Sequence, residues 1–427
     1  MEAINNIHQF DKFGSILGLE RVSGLMEKLG NPQDELKIIH VAGTNGKGST
    51  CRYMYEVLEE SGYKVGLYTS PFLEIFNERI EFDRKYISDE ELDFYSSKVI
   101  EKANELVAEG KNSPTEFDVV TAIAFLYFKE KGADYVILEV GLGGRGDSTN
   151  VIASPLVTCI TSVSLDHTDR LGKTISQIAW EKAGIIKTGI PVLSAVRSQE
   201  AKEVIEKEAE MLDAPFIDIA RISYRIENTD ILGTSFTLKD AGKISKLEIS
   251  MDGEHQVQNA VLAYFVLREL EKQDNILIEN SALRKGFKNA RQPGRFEILK
   301  KNPYMVIDGA HNPDGARALE ETMEMLFGGK KILVVTGILA DKDVESILDS
   351  FVKIGDEFIA TEPVNDRKLA CEALAEKISN RGGKCTCCAN PEDAVRLAES
   401  MSESFDVVLY AGSLYLIGEI RRLINGN

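Results

Sequence analysis

Apolar and polar positions recur along this chain in a repeating order. Short, nearly continuous apolar runs are followed by longer segments whose apolar residues return at helical spacing. The apolar run Leu36 to Ile39 predicts the end of a strand, and Cys51 to Ser61 predicts a helix. Tyr63–Tyr68 reads as a strand, Asp89–Glu109 as an amphipathic helix and Thr115–Lys131 as a more buried one. Tyr135–Val140 and Leu156–Thr161 are apolar enough for the middle of a parallel sheet. Helix Gln177–Lys187, strand Pro191–Val196 and helix Gln199–Leu212 continue the series. Strands alternating with helices in this way predict an α/β sheet covered on both faces.

The pattern changes at Ile222–Ser250, where alternation and the polar turns Glu227–Asp230 and Asp240–Lys243 predict a small antiparallel sheet. Helices Gln256–Leu270 and Asn280–Asn289 follow. After Pro293-Gly294 a second series begins. It has strands at Tyr304–Ile307, Lys331–Thr336, Glu357–Thr361, Gly383–Cys387 and Val407–Ala411. Helices are expected at Pro313–Leu326, Val344–Phe351, Lys368–Ser379, Pro391–Met401 and Leu414–Leu423. The expected division is therefore 1–295 and 296–427, with a mostly parallel central sheet in the first part and a Rossmann-like α/β domain in the second.

Composition narrows the setting. A chain of 427 residues, 43% hydrophobic, has room for two or three cores. No run reaches the ~18–20 apolar residues of a membrane span, and the start of the chain lacks a secretory pattern. Cysteines at 51, 159, 371, 385, 387 and 388 have no zinc-like spacing. A reducing cytoplasm is the expected compartment. A net charge of −18 argues against general nucleic-acid or acidic-membrane binding, and it leaves room for a local pocket that holds a small anion.

Candidate chemistry begins at Gly43-Thr44-Asn45-Gly46-Lys47-Gly48-Ser49-Thr50, between the first strand and its helix. Backbone N–H groups of such a turn can surround phosphate, Lys47 can reach the β/γ-phosphates, and Ser49 or Thr50 can offer a hydroxyl to Mg²⁺. The run departs from the ordinary G-x-x-x-x-G-K-[ST] pattern. Val41 stands where the leading glycine belongs, and Gly48 separates Lys47 from the hydroxyls. A plain glycine-rich turn is the competing reading.

Five further groups are candidates, and of these Glu139 and the Asp308/His311 pair lie at the strand ends where α/β proteins bind ligands. Glu139 precedes the turn Gly141–Asn150, and a carboxylate in so apolar a strand is costly unless it is paired or metal-bound. His167, in Ser164–Asp169, is a candidate ligand or base, or a loop hydrogen-bonding residue. Lys182 precedes the helix end at Gly184, and spacing alone does not separate a surface role from a functional one. In the second series Asp308 and His311 are expected just past a strand, and Arg295 is either a phosphate clamp or a salt-bridging residue. His255-Gln256 and Asn259 open a helix and fit either nucleotide contact or capping.

The ordered set resembles the folylpolyglutamate synthase/dihydrofolate synthase family within the Mur-type amide ligases. The likeness rests on the Gly43–Ser49 loop, Ser70-Pro71 with Phe76–Ile80, Pro114–Phe117, Glu139–Arg145, Asp166–Thr168 and Glu181–Ile185. It continues through His255-Gln256 with Asn259-Ala260, Gly294–Glu297, Asp308–Pro313, Asp341–Asp343 and Gly412–Tyr415. Phe72 departs from it, since histidine is common there, and so do Gly146 and Ser148.

The resemblance implies an ATP- and folate-binding domain followed by a glutamate-ligase domain. It implies that Thr44 through Thr50 bind ATP with Asn259, Arg295 and Asp308, and that Lys47, Lys182, Arg295 and His311 serve catalysis. Ser49, Glu139, His167 and a carbamylated Lys182 would hold two Mg²⁺ ions, and Ser70–Ile80 would close over the folate. A monomer acting on ATP, L-glutamate and a folate or dihydropteroate is implied, through an acyl phosphate. Monovalent-cation dependence stays open. A cell-wall-precursor ligase and a nucleotide-hydrolysing switch are the alternatives. The switch gives no reason for the Asp308/His311 signature.

Overall fold

The computed structural model describes residues 2–10, 17–240 and 242–426. Strands β1 (Ile38–Ala42), β2 (Val65–Tyr68), β3 (Ile80–Phe82), β4 (Lys85–Tyr86), β5 (Tyr135–Glu139), β6 (Val157–Ile160), β7 (Val192–Ser194) and β8 (Phe216–Asp218) form one sheet. Its order is β4-β3-β2-β5-β1-β6-β7-β8. From β2 to β8 every pairing is parallel, and β3 and β4 are added antiparallel at one edge. The central strands β1 and β5 are buried along their whole length, polar His40 and Glu139 included, and β1 runs on to Ala42, past the expected strand end at Ile39. Two separate apolar cores contain residues of this sheet. One holds Val119–Phe128 of helix Glu116–Lys131, and the other holds Ala179, Ala183 and Ile205.

Helix Lys47–Glu60 leaves β1 after a four-residue turn, Gly43–Gly46. Helix Glu116–Lys131 starts from a reciprocal cap in which Thr115 accepts from Asp118 N–H and Asp118 accepts from Thr115 N–H. The predicted helix Gln177–Lys187 is Ile175–Ala183, opened by Thr174 accepting from Gln177 N–H and closed at Gly184.

Strands β9 (Tyr224–Asp230), β10 (Gly233–Asp240) and β11 (Lys243–Ile249) form a three-stranded sheet in the order β11-β10-β9. Two-residue links between adjacent strands leave only antiparallel pairing, because a parallel return needs a long crossover. Ala241, in the predicted Asp240–Lys243 turn, lies outside the described residues.

The last sheet contains β12 (Glu297–Lys301), β13 (Tyr304–Asp308), β14 (Ile332–Thr336), β15 (Glu357–Ala360), β16 (Lys384–Cys387) and β17 (Val407–Ala411), ordered β12-β13-β17-β14-β15-β16. Five strands are parallel and β12 is antiparallel to β13. Asp308 is the last residue of β13 and not a loop residue beyond it, because its backbone continues the register against Ala411 of β17. Cys371 and Cys387 are joined by a disulfide, a pairing that their sequence spacing did not reveal.

The chain divides into two compact units. The first holds the residues up to Arg225 with 237–247 and 258–290, and the second holds 226–236, 248–257 and 291–427. No helix among the described residues is long and apolar enough to cross a membrane.

Candidate active site

In the first unit the chemistry collects at the ends of β1, β5 and β6. Register pairs Glu139, the last residue of β5, with Val41 of β1, so its carboxylate lies beside the loop that follows β1. Lys47, the first residue of its helix, has its ammonium 4.0 Å from Glu139 Oε1. The same ammonium donates to the carbonyls of Gly43 at 3.1 Å and Thr44 at 3.3 Å, folded back over the loop. Gly46 has φ 85°, and a Cβ there would stand 2.3 Å from Asn259 Oδ1. Only glycine fits both demands. The fold thus places Asn259, more than two hundred residues away, directly against the loop.

The loop is braced by hydroxyls whose role the sequence reading missed. Thr44 N–H donates to Ser162 O and Asn45 N–H to Ser162 Oγ, each at 2.9 Å. Thr161 Oγ1 donates to Asn45 O at 2.6 Å, and Ser164 N–H donates to Thr44 Oγ1 at 3.1 Å. The Thr44 and Asn45 amides are therefore engaged with Ser162. The first N–H groups of the helix, which have no intrahelical carbonyl to bond, carry the positive end of its dipole. The signal that could have revealed the brace is the hydroxyl-rich run Thr161–Ser164 directly after an apolar strand. Ser70, the first residue of the Ser70–Ile80 segment, adds a contact that the sequence did not foretell: its backbone N–H donates to Glu139 Oε2 at 3.3 Å.

Ser49 is buried at the start of the helix, with Gly48 and Thr50 beside it. His167 adopts φ 50° at the start of helix Thr168–Leu171, its imidazole half-exposed and 4.0 Å from Asp166 Oδ1. Lys182 is not a surface residue, being only 3% exposed. Burial first, and the charge of Lys47 second, push its ammonium down to about 7, against the pull of Asp166, Glu181 and Asp147. Glu139 and Ser49, both buried, offer the oxygen donors that a hard divalent cation takes, and the half-exposed His167 offers a nitrogen.

In the second unit Asp308 accepts the N–H groups of Phe296 at 2.8 Å and Ala310 at 2.7 Å. Burial raises its carboxyl, offset by Arg295 and these two donors. Arg295 comes within 3.1 Å of the place where a Cβ on Gly309 would stand, so the arginine and the strand end are packed together. His311 Nδ1 donates to Gly309 O at 2.7 Å, which makes Nδ1 the protonated nitrogen because a carbonyl only accepts. Asn312 caps the following helix by accepting Gly315 N–H, with Pro313 at its first position. His255, a partly buried imidazole held down at about 4 by desolvation and by Arg295, joins this group.

Residues 41–267 match the Mur ligase middle domain, and 294–414 match the Mur ligase glutamate ligase domain. A phosphate-cradling loop with a lysine–carboxylate pair, followed by an α/β unit of this kind, defines an ATP-dependent amide ligase. The chain is 41% identical over 422 residues to the dihydrofolate synthase/folylpolyglutamate synthase of Bacillus subtilis (strain 168), covering 97% of each. The folylpolyglutamate synthase structure from Thermotoga maritima matches with a TM-score of 0.87 and 36% identity, over 100% of this chain and 98% of that one. E. coli FolC in complex with DHPP and ADP matches with a TM-score of 0.89 and 29% identity, over 100% and 97%. The chain belongs to the folylpolyglutamate synthase/dihydrofolate synthase family of Mur ligases.

Proposed function

We propose that this ligase uses ATP to add L-glutamate to folates, extending tetrahydrofolate polyglutamates, and to dihydropteroate, forming dihydrofolate. The observation that carries the reading is the Lys47–Glu139 pair at the mouth of the phosphate-binding loop, 4.0 Å apart. That pair places a phosphate-seeking cation beside a metal-seeking carboxylate. The similar FolC structure, bound to DHPP and ADP, supports the same nucleotide and a pteridine acceptor. The working arrangement is a cytoplasmic monomer, with ATP and folate bound by residues 1–295 and glutamate ligation served by 296–427.

In the reaction, a carboxylate oxygen of the acceptor attacks the γ-phosphorus and ADP leaves, giving an acyl phosphate. The amine of glutamate then attacks the acyl carbon, phosphate leaves, and the nitrogen gives up a proton as the amide forms. Lys47 turns from the Gly43 and Thr44 carbonyls to the phosphate oxygens and offsets their charge. The helix-start amides of Gly46 to Ser49 hold the phosphates, and Asn259, Arg295, Asp308 and His311 complete the nucleotide and ligation contacts. Glu139, His167, Ser49 and carbamylated Lys182 are the residues that would hold Mg²⁺. Bound Mg²⁺ supplies positive charge to the phosphoryl oxygens.

The test gives the purified chain ATP, Mg²⁺ and L-glutamate with dihydropteroate, tetrahydrofolate or a cell-wall nucleotide precursor, and follows ADP and product mass. Mass gain of one glutamyl residue on a pteridine is expected. Glutamate addition to neither pteridine sinks the proposal.

A further inference from the structure

Glu139 and Lys182 lie on separate elements, β5 and helix Ile175–Ala183, and something must fix their spacing. The segment between Glu139 and β6 does so through contacts that reaction chemistry does not require. Arg145 N–H donates to Glu181 O at 2.8 Å. Arg145 Nη2 donates to Trp180 O at 3.2 Å and to Glu208 Oε1 at 2.7 Å, and its guanidinium lies 3.9 Å from the centre of the Trp180 ring. Asn150 Nδ2 donates both to Arg145 O at 3.1 Å and to Gly184 O at 3.0 Å. Lys187 then reaches back to Asn150 O at 3.3 Å.

The carbonyls engaged, Trp180, Glu181 and Gly184, bracket Lys182 at the helix C-terminus. Final-turn carbonyls are short of intrahelical donors, Glu181 O having only the Gly184 N–H, and gather negative charge, so a guanidinium and an amide are suitable partners. The approach is close enough to restrict side chains. A Cβ on Gly184 would stand 2.3 Å from Arg145 Cβ.

We infer that Arg145 and Asn150 are positioning residues for Lys182: together they clamp the Gly141–Asn150 turn to the end of the Lys182 helix and thereby set the lysine nitrogen relative to Glu139. The inference rests on the proposed role of Lys182 in the reaction. Arg145 contributes through stacking and a forked donor set, which lysine does not reproduce. Asn150 contributes two N–H donors, which aspartate of the same shape lacks.

The test compares wild type, Asn150→Asp, Lys182→Ala and the double variant, each confirmed as folded by circular dichroism. Readouts are kcat, the KM for ATP, and the ¹³C carbamate resonance of protein equilibrated with ¹³C-bicarbonate. For Asn150→Asp the expected result is kcat lower by about tenfold or more, with the carbamate resonance weakened, as for groups that orient a metal ligand. Its KM for ATP should stay within about threefold, and adding Lys182→Ala should remove any further effect of Asn150→Asp on kcat. Wild-type kcat with an undiminished resonance in the folded variant overturns the inference. A wild type with no carbamate resonance refutes the carbamate reading itself. The clamp is then judged by the double variant, where an undiminished further loss of kcat overturns it. If Asn150→Asp does not fold, Arg145→Lys is scored by the same criteria.

Discussion

An ordinary lysine is a cation at neutral pH, and an ammonium has no lone pair with which to attack carbon dioxide. Burial changes this for Lys182, whose proton is held only to about pH 7. The sign follows directly. Below about 7 the amine is protonated and carbamate formation is suppressed, and above it the nucleophilic form prevails. Activity at low bicarbonate should therefore fall as pH drops below about 7 and recover with added bicarbonate. Lys182→Ala should lower kcat by about 10²-fold or more, and a small carboxylate such as acetate should restore part of it. Steady-state turnover with and without acetate checks this, and a fully active Lys182→Ala variant refutes it. At this scale the sequence was informative where chemistry and position coincide, as at Lys47 and Glu139. It could not separate Lys182 from a surface lysine, because burial is supplied by the fold around it.

At the scale of elements, the phosphate-binding loop works because its turn, helix start and distant brace agree. Gly46→Ala tests that agreement. The left-handed backbone would cost about 1–2 kcal/mol, and the new methyl would press against the Asn259 side chain. Asn259 can give way only by leaving its place beside the loop, so the KM for ATP should rise as stability falls. An unchanged KM with lowered stability would separate Asn259 from nucleotide binding. The strands β5 and β17 were legible because buried parallel strands are nearly continuous apolar runs, whereas the Leu36–Ile39 run overlaps β1 only at Ile38 and Ile39. Helices Glu2–His8 and Glu20–Lys28 and strands β3, β4, β8 and β12 were not. Strand β12, Glu-Ile-Leu-Lys-Lys, has too few apolar positions to show a period, and it is defined by its pairing with β13. The brace from Thr161 to Ser164 was missed for a related reason. Hydroxyls acquire a role only when the sheet order brings β6 beside β1.

Across the whole molecule, each unit carries a carboxyl and an imidazole that burial displaces in opposite directions. Burial raises Glu59 in the first unit and Asp252 in the second to about 7, and it lowers His40 to about 3 and His255 to about 4. For the carboxyls, the folded chain keeps protons that the unfolded chain has released, so their contribution is lost as pH rises from about 4 toward 7. For the imidazoles, the unfolded chain takes protons that the folded chain refuses, so their contribution is lost as pH falls below about 6.5. Between about pH 4.5 and 6.5 two protons on the folded side balance two on the unfolded side, and these four groups together give a flat profile. Glu59→Gln with Asp252→Asn removes one half of the balance. Relative to wild type, stability of the double variant should then climb with pH across that window, by up to about 3 kcal/mol per pH unit. Urea unfolding of both proteins at half-unit pH steps measures the difference, in which every other titrating group cancels. Parallel curves would mean that Glu59 and Asp252 titrate as ordinary carboxylates.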